Sequence, residues 1–220
     1  MIANTSWLDR LAHDLRGPLT PLQTATYLLK TGQIEPAQQQ ELFALIERQT
    51  RVLGGMIDEL GDWSQANRGG LSCSRDACDL GMLLEIACST IKPVDGSMPS
   101  IRDDSDGAIV TGDQVRLVEL LRTLTGYVMS RVPAATPTIH VSRQGAMVQI
   151  DISATGERSV DHSEVATMFD HPQTEPYDGG LGLKLLIARA IADAHSGSLM
   201  AEAMPAGGVL IRCDLPVAAP

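Results

Sequence analysis

The stretch Leu11-Ala-His-Asp-Leu-Arg-Gly-Pro-Leu19 contains part of an apolar stripe. This stripe decides how the chain begins to fold. The stripe steps alternately by four and three residues along Leu8, Ala12, Leu15, Leu19, Leu22, Thr26 and Leu29. A second stripe repeats these steps along Leu42, Ile46, Gln49, Leu53, Met56, Leu60 and Trp63. A period of about 3.5 residues is typical of helices that pack at shallow angles. The sequence therefore predicts an antiparallel helical hairpin over residues 6–66, with Thr31-Gly32 ending the first helix and Pro36 opening the second.

The predicted hairpin has one apolar seam and no second pair of helices to cover it. Four helices enclose a core, and two do not. The seam could pack against the rest of the chain or against the hairpin of a second copy. We favour the second arrangement, a homodimer in which two hairpins form a four-helix bundle.

The pattern changes after Asn67-Arg68-Gly69-Gly70, which predicts a hinge between a first domain over residues 1–67 and a second over 68–220. Helices are predicted over 80–91, 115–132 and 182–195, with Pro133 ending the second of these. Strands are predicted near 101 and over 108–111, 138–143, 147–153, 198–203 and 208–215. This order of elements predicts an α+β sandwich with helices on one face of a mixed sheet.

Composition excludes several classes of function. The net charge of -10 argues against nonspecific binding to nucleic acid or to an anionic membrane. No apolar run is long enough for a membrane span, and the N-terminus lacks the pattern of a signal peptide, so we expect a cytoplasmic protein. The 4 cysteines form no CxxC pair, which argues against a zinc site, and no metal ligand set is predicted.

His13 is the first candidate for chemistry. It lies beside the apolar seam, so its ring can reach solvent, and a neutral imidazole is a competent nucleophile toward phosphorus. Asp14 could accept the imidazole N–H or take a proton during attack. Arg16, one turn further on, could steady a phosphoryl group or could be an ordinary solvated charge. Taken alone, His13 is better explained as an ordinary surface histidine than as a functional residue.

The combination His-Asp-x-Arg-x-Pro-Leu on an amphipathic helix resembles the H box of two-component histidine kinases. Residues 6–66 resemble their dimerisation and histidine-phosphotransfer hairpin, and residues 71–216 resemble their Bergerat-fold ATP-binding domain, an α/β sandwich. The resemblance implies that His13 is the phosphoacceptor and Asp14 its acidic partner. Gly17 stands where the family usually has Thr or Asn, so the side chain implicated in orienting water for dephosphorylation is missing.

The second half departs from the family where nucleotide binds. Residues 113–127 resemble the N box, whose two asparagines fall at Thr123 and Tyr127, and tyrosine is a poor magnesium ligand. Residues 148–156 resemble the G1 box, which keeps Gly156 but has Ala154 in place of the adenine-reading aspartate. Asp151 comes two or three residues early and is expected to face the other way or to lie deeper in the strand. Arg158 replaces a second glycine.

The stretch Asp178-Gly-Gly-Leu-Gly-Leu183 resembles the G2 box and is better preserved. Gly180 and Gly182 precede a helix, and their backbone N–H groups could cradle a phosphate. They could equally form a tight turn that lets the helix pack on the sheet. Loss of the adenine contact and the metal ligand together would cost roughly 3–6 kcal/mol, which lowers nucleotide affinity by about 10²–10⁴.

Three functions remain open. The first is a histidine phosphotransferase of a phosphorelay, which resembles the ChpT-like phosphotransferases and shuttles a phosphoryl group between receiver-domain aspartates through His13 without ATP. It needs no cofactor of its own, because the receiver supplies magnesium. Its partners would be response-regulator receiver domains meeting Arg16 and Thr20, with a hybrid kinase upstream. A sensor segment is not expected ahead of His13, since only 12 residues precede it.

The second possibility is the catalytic module of an active ATP-dependent sensor histidine kinase, which would need ATP and magnesium. The third is a pseudokinase that binds a receiver domain without phosphotransfer. Binding of Mg-ATP separates the second possibility from the other two.

Overall fold

The computed structural model describes residues 5–32, 34–69, 71, 73–91, 98–132, 135–156 and 161–218, with side chains from residue 9 onward. The chain divides into two compact units. The hairpin unit comprises Met1–Asp62 and Thr174–Gly182, and the sheet unit comprises Trp63–Gln173 and Leu183–Pro220. A short segment distant in sequence thus belongs with the hairpin, which a single boundary near residue 68 does not anticipate. Each unit is described by itself.

The predicted helical hairpin is confirmed. Helix α1 spans Thr5–Thr31 and helix α2 spans Pro36–Asn67. Gly32 follows α1 with a φ of 74°, a left-handed conformation that ends a helix. Pro18 lies within α1 and has no N–H, so the carbonyl of Asp14 receives no α-helical hydrogen bond from it.

The hairpin has little core of its own. Among the side chains described from residue 9 to residue 67, the buried ones are Pro18, Ala25, Met56 and Glu59. Large apolar side chains such as Tyr27 and Ile57 are exposed. The leucines of the two stripes are largely half-exposed, as expected of two helices that share a single seam.

The sheet unit contains the predicted α+β fold. Its elements in chain order are β1 (Asp76–Asp79), α3 (Leu80–Ser89), β2 (Ser100–Asp104), β3 (Ile109–Gly112), α4 (Gln114–Arg131), β4 (Thr138–Gln144), β5 (Met147–Thr155), α5 (His162–Ala166), α6 (Lys184–Ala194), β6 (Ser198–Ala203) and β7 (Gly208–Pro216). Five strands form a sheet in the order β2-β4-β5-β7-β6, parallel between β2 and β4 and antiparallel elsewhere, while β1 and β3 form a separate antiparallel pair. The sheet is therefore mixed, as predicted.

One face of the sheet carries the core. Along β5, Val148, Ile150, Ile152 and Ala154 are buried, and the residues between them are half-exposed. Helix α4 contacts β5 and β7 and buries its own leucine stripe, which comprises Leu117, Leu120, Leu121 and Leu124. Alternation in the strands and a 3.6-residue period in α4 direct apolar side chains to the same layer.

Three local features differ from the sequence prediction. Helix α6 begins at Lys184 rather than Gly182, because Gly182 has a φ of 77° and Leu183 occupies the position before the first helical residue. Strand β1 and the short helix α5 were not predicted, since four or five residues are too few to show a period. The predictions that concern Gly70, Pro133 and Arg158 lie outside the described residues.

Within the part of the chain that is described, no helix is long and apolar enough to cross a membrane.

Candidate functional site

His13 projects from α1 into solvent, with 85% of its side chain exposed. Its Nδ1 lies 3.2 Å from Oδ1 of Asp14. In the tautomer that carries its proton on Nδ1, the ring donates this hydrogen bond and the lone pair of Nε2 is free. The structure therefore brings together the two residues that the sequence paired, in a geometry suited to attack by Nε2.

The carboxylate of Asp14 is held from two sides. Its Oδ2 lies 3.9 Å from Nε of Arg10, one turn earlier on α1. Because Asp14 is only partly exposed and sits between a cation and the imidazole, its orientation toward His13 is constrained. This arrangement favours a role in fixing the tautomer of His13.

Arg16 and Thr20 are both exposed on α1, as a partner-binding surface requires. The Thr20 hydroxyl donates a hydrogen bond to the carbonyl of Arg16 at 3.1 Å. Thr20 therefore uses its hydroxyl hydrogen within the helix, while its oxygen can still accept a bond from a partner. Gly17 is also exposed, so the position where the family places a polar side chain carries none.

A cleft of about 390 Å³ opens beside His13 within the hairpin unit. Its walls come from both helices and from the segment Thr174–Gly182. The lining residues are His13, Asp14, Gly17, Pro18, Val52, Met56, Thr174, Pro176, Gly179 and Gly180. Residues 178–182, which resemble the G2 box and are called the glycine turn below, therefore face the same cleft as His13. The sequence did not indicate this.

The N-box positions on α4 belong to the core of the sheet unit. Tyr127 is only 1% exposed and Thr123 is buried. The guanidinium of Arg131 lies 4.9 Å from the centre of the Tyr127 ring and also binds Glu164 at 2.7 Å. Burial raises the pKa of the Tyr127 hydroxyl, which disfavours the phenolate that a cation would prefer. Tyr127 is thus a core side chain at the position that the resemblance aligns with the family's metal ligand.

The G1-box positions on β5 lack an adenine-reading carboxylate. Ala154 is 3% exposed and pairs with Val209 on β7. Asp151 faces the opposite side of the sheet, where Arg212 donates two hydrogen bonds to it at 2.8 and 3.0 Å. The prediction that Asp151 faces the other way is confirmed. Gly156 lies at the end of β5, and a Cβ there would overlap the side chain of Val132.

The glycine turn lies in the hairpin unit and has all its described N–H donors from 179 to 181 engaged. Gly179 bonds to the Pro176 carbonyl at 3.5 Å, and Gly180 bonds to Oδ1 of Asp178 at 3.1 Å. Leu181 bonds to Oε2 of Glu59 at 2.9 Å. Gly182 is buried and takes the left-handed conformation that leads into α6.

Glu59 was missed by sequence reasoning. It lies on α2 directly before Leu60 of the apolar stripe, it is 4% exposed, and its partner in the glycine turn is 122 residues further along the chain. The only signal available was a carboxylate next to an otherwise apolar seam. Sequence spacing could not have identified its partner.

No group of three or more His, Cys, Asp or Glu side chains in the described part of the chain could hold a metal ion. Tyr127, which the resemblance to the N box aligns with the family's magnesium ligand, is buried.

Two protein families match this chain, one in each half. Residues 3–69 match the His Kinase A (phospho-acceptor) domain, and residues 112–219 match the histidine kinase-, DNA gyrase B- and HSP90-like ATPase domain. With the hairpin and the mixed sheet, these matches give the chain the domain content and fold of a histidine kinase catalytic core.

Curated relatives with similar sequences are sensor kinases. The sensor protein ChvG of Rhizobium meliloti (strain 1021) is 28% identical over 207 residues, which cover 87% of this chain and 36% of that protein. The histidine-protein kinase BaeS of Escherichia coli (strain K12) is 26% identical over 217 residues, which cover 94% of this chain and 45% of that protein. The chain thus spans less than half the length of these relatives.

Solved structures with the same fold include histidine kinases. Acinetobacter baumannii histidine kinase AdeS superposes with a TM-score of 0.74 at 20% identity, covering 94% of this chain and 98% of that one. Histidine kinase ThkA, solved in complex with the response regulator protein TrrA, superposes with a TM-score of 0.72 at 17% identity over 96% of this chain and 61% of that one. The comparisons favour the ATP-dependent kinase module over the ATP-free phosphotransferase, which they do not confirm.

Proposed function

We propose that His13 is the phosphoryl carrier of a two-component phosphorelay and that it is charged by the aspartyl phosphate of a receiver domain rather than by ATP. The observation that carries this proposal is the contrast between an exposed, oriented His13 and a buried Tyr127 at the metal-ligand position. The exposed His13 is accessible to a phosphoryl donor. The buried Tyr127 replaces the residue that would bind the magnesium ion of Mg-ATP.

The transfer step uses only groups that the hairpin and a receiver supply. Nε2 of His13 attacks the phosphorus of the aspartyl phosphate, an N–P bond forms, and the P–O bond to the aspartate breaks with release of its carboxylate. The proton stays on Nδ1, and Asp14 at 3.2 Å stabilises the positive ring. The same steps in reverse deliver the phosphoryl group to a second receiver. Magnesium belongs to the receiver in this scheme, and the chain binds no cofactor.

The sheet unit supports the absence of ATP from this scheme. Loss of the adenine-binding carboxylate at Ala154 and of the metal ligand at Tyr127 weakens nucleotide binding by roughly 3–6 kcal/mol. An enzyme with a typical substrate constant between tens of micromolar and millimolar would then leave its site almost empty. On this proposal the sheet unit serves structure and receiver docking.

Receiver domains are the proposed partners, reached through Arg16, Thr20 and the α1 surface around His13. A hybrid kinase upstream would charge the donor receiver. The exposed apolar side chains of the hairpin, including Tyr27 and Ile57, support the homodimer, because a second hairpin would cover them. We place the protein in the cytoplasm, where receivers operate, and assign it no nucleic-acid or membrane partner.

A second candidate has its own support. The similarity to ChvG and BaeS favours an ATP-dependent module that phosphorylates His13 itself, within a longer sensor protein. This function requires residues other than those at Tyr127 and Ala154 to bind magnesium and adenine. The non-catalytic pseudokinase makes a third candidate, distinguished by an inert His13.

The deciding experiment offers the full chain two labelled donors in parallel. One sample receives γ-labelled Mg-ATP up to millimolar concentration, and the other receives receiver domains of the source genome, each labelled on its aspartate. Phosphohistidine is recognised as label that is acid-labile and alkali-stable. We expect label from at least one receiver and none from ATP. Label from ATP would establish the kinase, and label from neither donor would leave the pseudokinase. Calorimetry with Mg-ATP checks that missing label reflects missing binding.

A further inference from the structure

Glu59 is a buried carboxylate in a unit that buries very little else. It is 4% exposed on α2, and burial of a charge without partners is costly, so its hydrogen bonds decide whether it is tolerated. One of them is the N–H of Leu181 at 2.9 Å. Both residues belong to the hairpin unit. The contact therefore fastens the glycine turn to α2.

The backbone of the turn lies close to this carboxylate. A Cβ at Gly180 would overlap Oε2 of Glu59, so a larger residue there would require the Glu59 side chain to move. Asp178 supplies a second carboxylate oxygen, which accepts the N–H of Gly180 at 3.1 Å. Two consecutive N–H groups of a turn that resembles a phosphate cradle thus point at carboxylates of the same chain.

We propose that the Glu59 carboxylate occupies the anion position of the glycine turn, holding the turn on α2 and excluding phosphate-bearing ligands from it. Backbone N–H groups at a glycine turn attract anions, and the Glu59 carboxylate accepts the Leu181 N–H that a phosphate oxygen would otherwise accept. A phosphate oxygen cannot share the Leu181 donor with Glu59, because the two negative groups repel each other in a buried setting. This inference is compatible with transfer from a receiver domain and is incompatible with ATP phosphates bound at this turn, so it agrees with the proposed function.

The near-isosteric variant Glu59→Gln separates charge from shape. Its amide oxygen still accepts the Leu181 N–H, but the negative charge is gone. A purely structural contact would leave anion binding unchanged in this variant. If the charge excludes phosphate, Glu59→Gln binds an anion at the turn more tightly than the wild type. Glu59→Ala removes the charge and the acceptor together.

The test uses amide-resolved NMR on the full chain with inorganic tripolyphosphate as the probe. Shifts of the Gly179, Gly180 and Leu181 amides report binding, and hydrogen exchange of the Leu181 amide reports the tether. We expect tripolyphosphate to bind about tenfold or more tightly to both variants than to the wild type. In Glu59→Ala the Leu181 amide should exchange on the order of 10- to 100-fold faster, as loss of a hydrogen bond to a charged group predicts.

Asp58→Asn is the matched control, because it removes one charge from the exposed neighbouring position of the same helix. It should behave as the wild type in both measurements, which excludes a general effect of net charge. Circular dichroism checks that the helices of each variant remain. Unchanged protection of Leu181 in Glu59→Ala would overturn the tether. Faster exchange without tighter tripolyphosphate binding in either variant would overturn the competition with phosphate.

Discussion

The hairpin unit and the sheet unit differ in whether the residues of their family motifs are exposed or buried. In the hairpin unit His13 is exposed and Asp14 is oriented beside it. In the sheet unit Tyr127 and Ala154, which the resemblance aligns with the family's magnesium and adenine contacts, are buried. Among the residues described, the hairpin unit exposes its candidate phosphoacceptor and has almost no core, whereas the sheet unit has a dense core that includes Tyr127 and Ala154.

The contrast shows how differently the two kinds of site depend on their surroundings. An imidazole nucleophile needs exposure and one hydrogen-bond partner, both of which a single helix provides. A nucleotide site needs a cavity and polar groups inside the domain, and a buried polar group without its ligand is unfavourable. On the proposed function, which does not use ATP, apolar or aromatic side chains at those positions would stabilise the fold. The ATP site is therefore expected to be lost before the histidine.

Replacement of His13 tests the hairpin side of the comparison and should have the largest effect. His13→Ala removes the nucleophile, so we expect transfer from a labelled receiver to fall by more than about 10³-fold, or roughly 4 kcal/mol in the barrier. Retention of label on the chain is the measurement. His162→Ala, which alters an exposed histidine on α5, is the control and should transfer as the wild type does. Equal labelling of the two variants would remove His13 from the mechanism.

Replacement of Tyr127 tests the sheet side. Tyr127→Asn restores the family's residue but empties a buried aromatic position, and we expect the free energy of unfolding to fall by about 3 kcal/mol. Urea denaturation of the full chain measures this loss. Tyr127→Phe keeps the ring and should lose only about 1 kcal/mol.

Calorimetry with Mg-ATP on the same Tyr127→Asn variant should detect no gain in affinity, since Ala154 still lacks a carboxylate. Micromolar binding without loss of stability would contradict the assignment of Tyr127 to the core. It would mean that one side chain plugs an intact nucleotide site.

Replacement of Asp14 tests how strongly phosphotransfer to the exposed His13 depends on the neighbouring carboxylate. Asp14→Asn keeps a hydrogen-bond acceptor but loses the negative charge that stabilises the ring after attack. We expect transfer to slow by about tenfold, which is about 1.4 kcal/mol, while His13 remains phosphorylatable. Initial rates from the labelled receiver measure the effect. Asp9→Asn, an exposed carboxylate earlier on α1, controls for net charge. A rate equal to the wild type would leave Asp14 without a role.

Asp113 gives the smallest effect and concerns only the fold of the sheet unit. It caps α4 by accepting the N–H groups of Val115 and Arg116 at 3.0 and 3.1 Å. Burial alone would raise the pKa of Asp113, but hydrogen bonds from Arg116, Ser74 and Val115 and the nearby His195 outweigh it and lower the pKa. Asp113→Ala should cost about 1 kcal/mol of stability at neutral pH.

The pH dependence of that cap follows from the lowered pKa. The contribution is complete above the unfolded pKa of about 3.9 and is lost as the pH falls through the lower folded value. Denaturation at several pH values should show the gap between wild type and Asp113→Ala closing below about pH 4. Asp113→Asn can still cap without titrating, so most of its stability should persist in acid. A gap independent of pH would contradict the lowered pKa.

How accurately the sequence predicted each element depended on how many residues carried the periodic pattern. Stripes of seven residues placed α1 and α2 to within a residue or so of their ends, and alternation placed β4 to β7 closely. The pairing of His13 with Asp14 follows from adjacency on one helix. Strand β1 and helix α5 are too short for any period. The start of α6 depends on the backbone conformation of Gly182, which its presence in a glycine-rich stretch does not fix.

The hydrogen bond between Glu59 and Leu181 also bears on how such proteins can be recombined, because it joins positions 122 residues apart. A chimera spliced near residue 69 would place a foreign glycine turn against Glu59. Any residue larger than glycine at position 180 would then meet the carboxylate, and a displaced turn would withdraw a donor worth about 1–3 kcal/mol. The exchangeable module is therefore the two helices together with the segment Thr174–Gly182, although the sequence separates them.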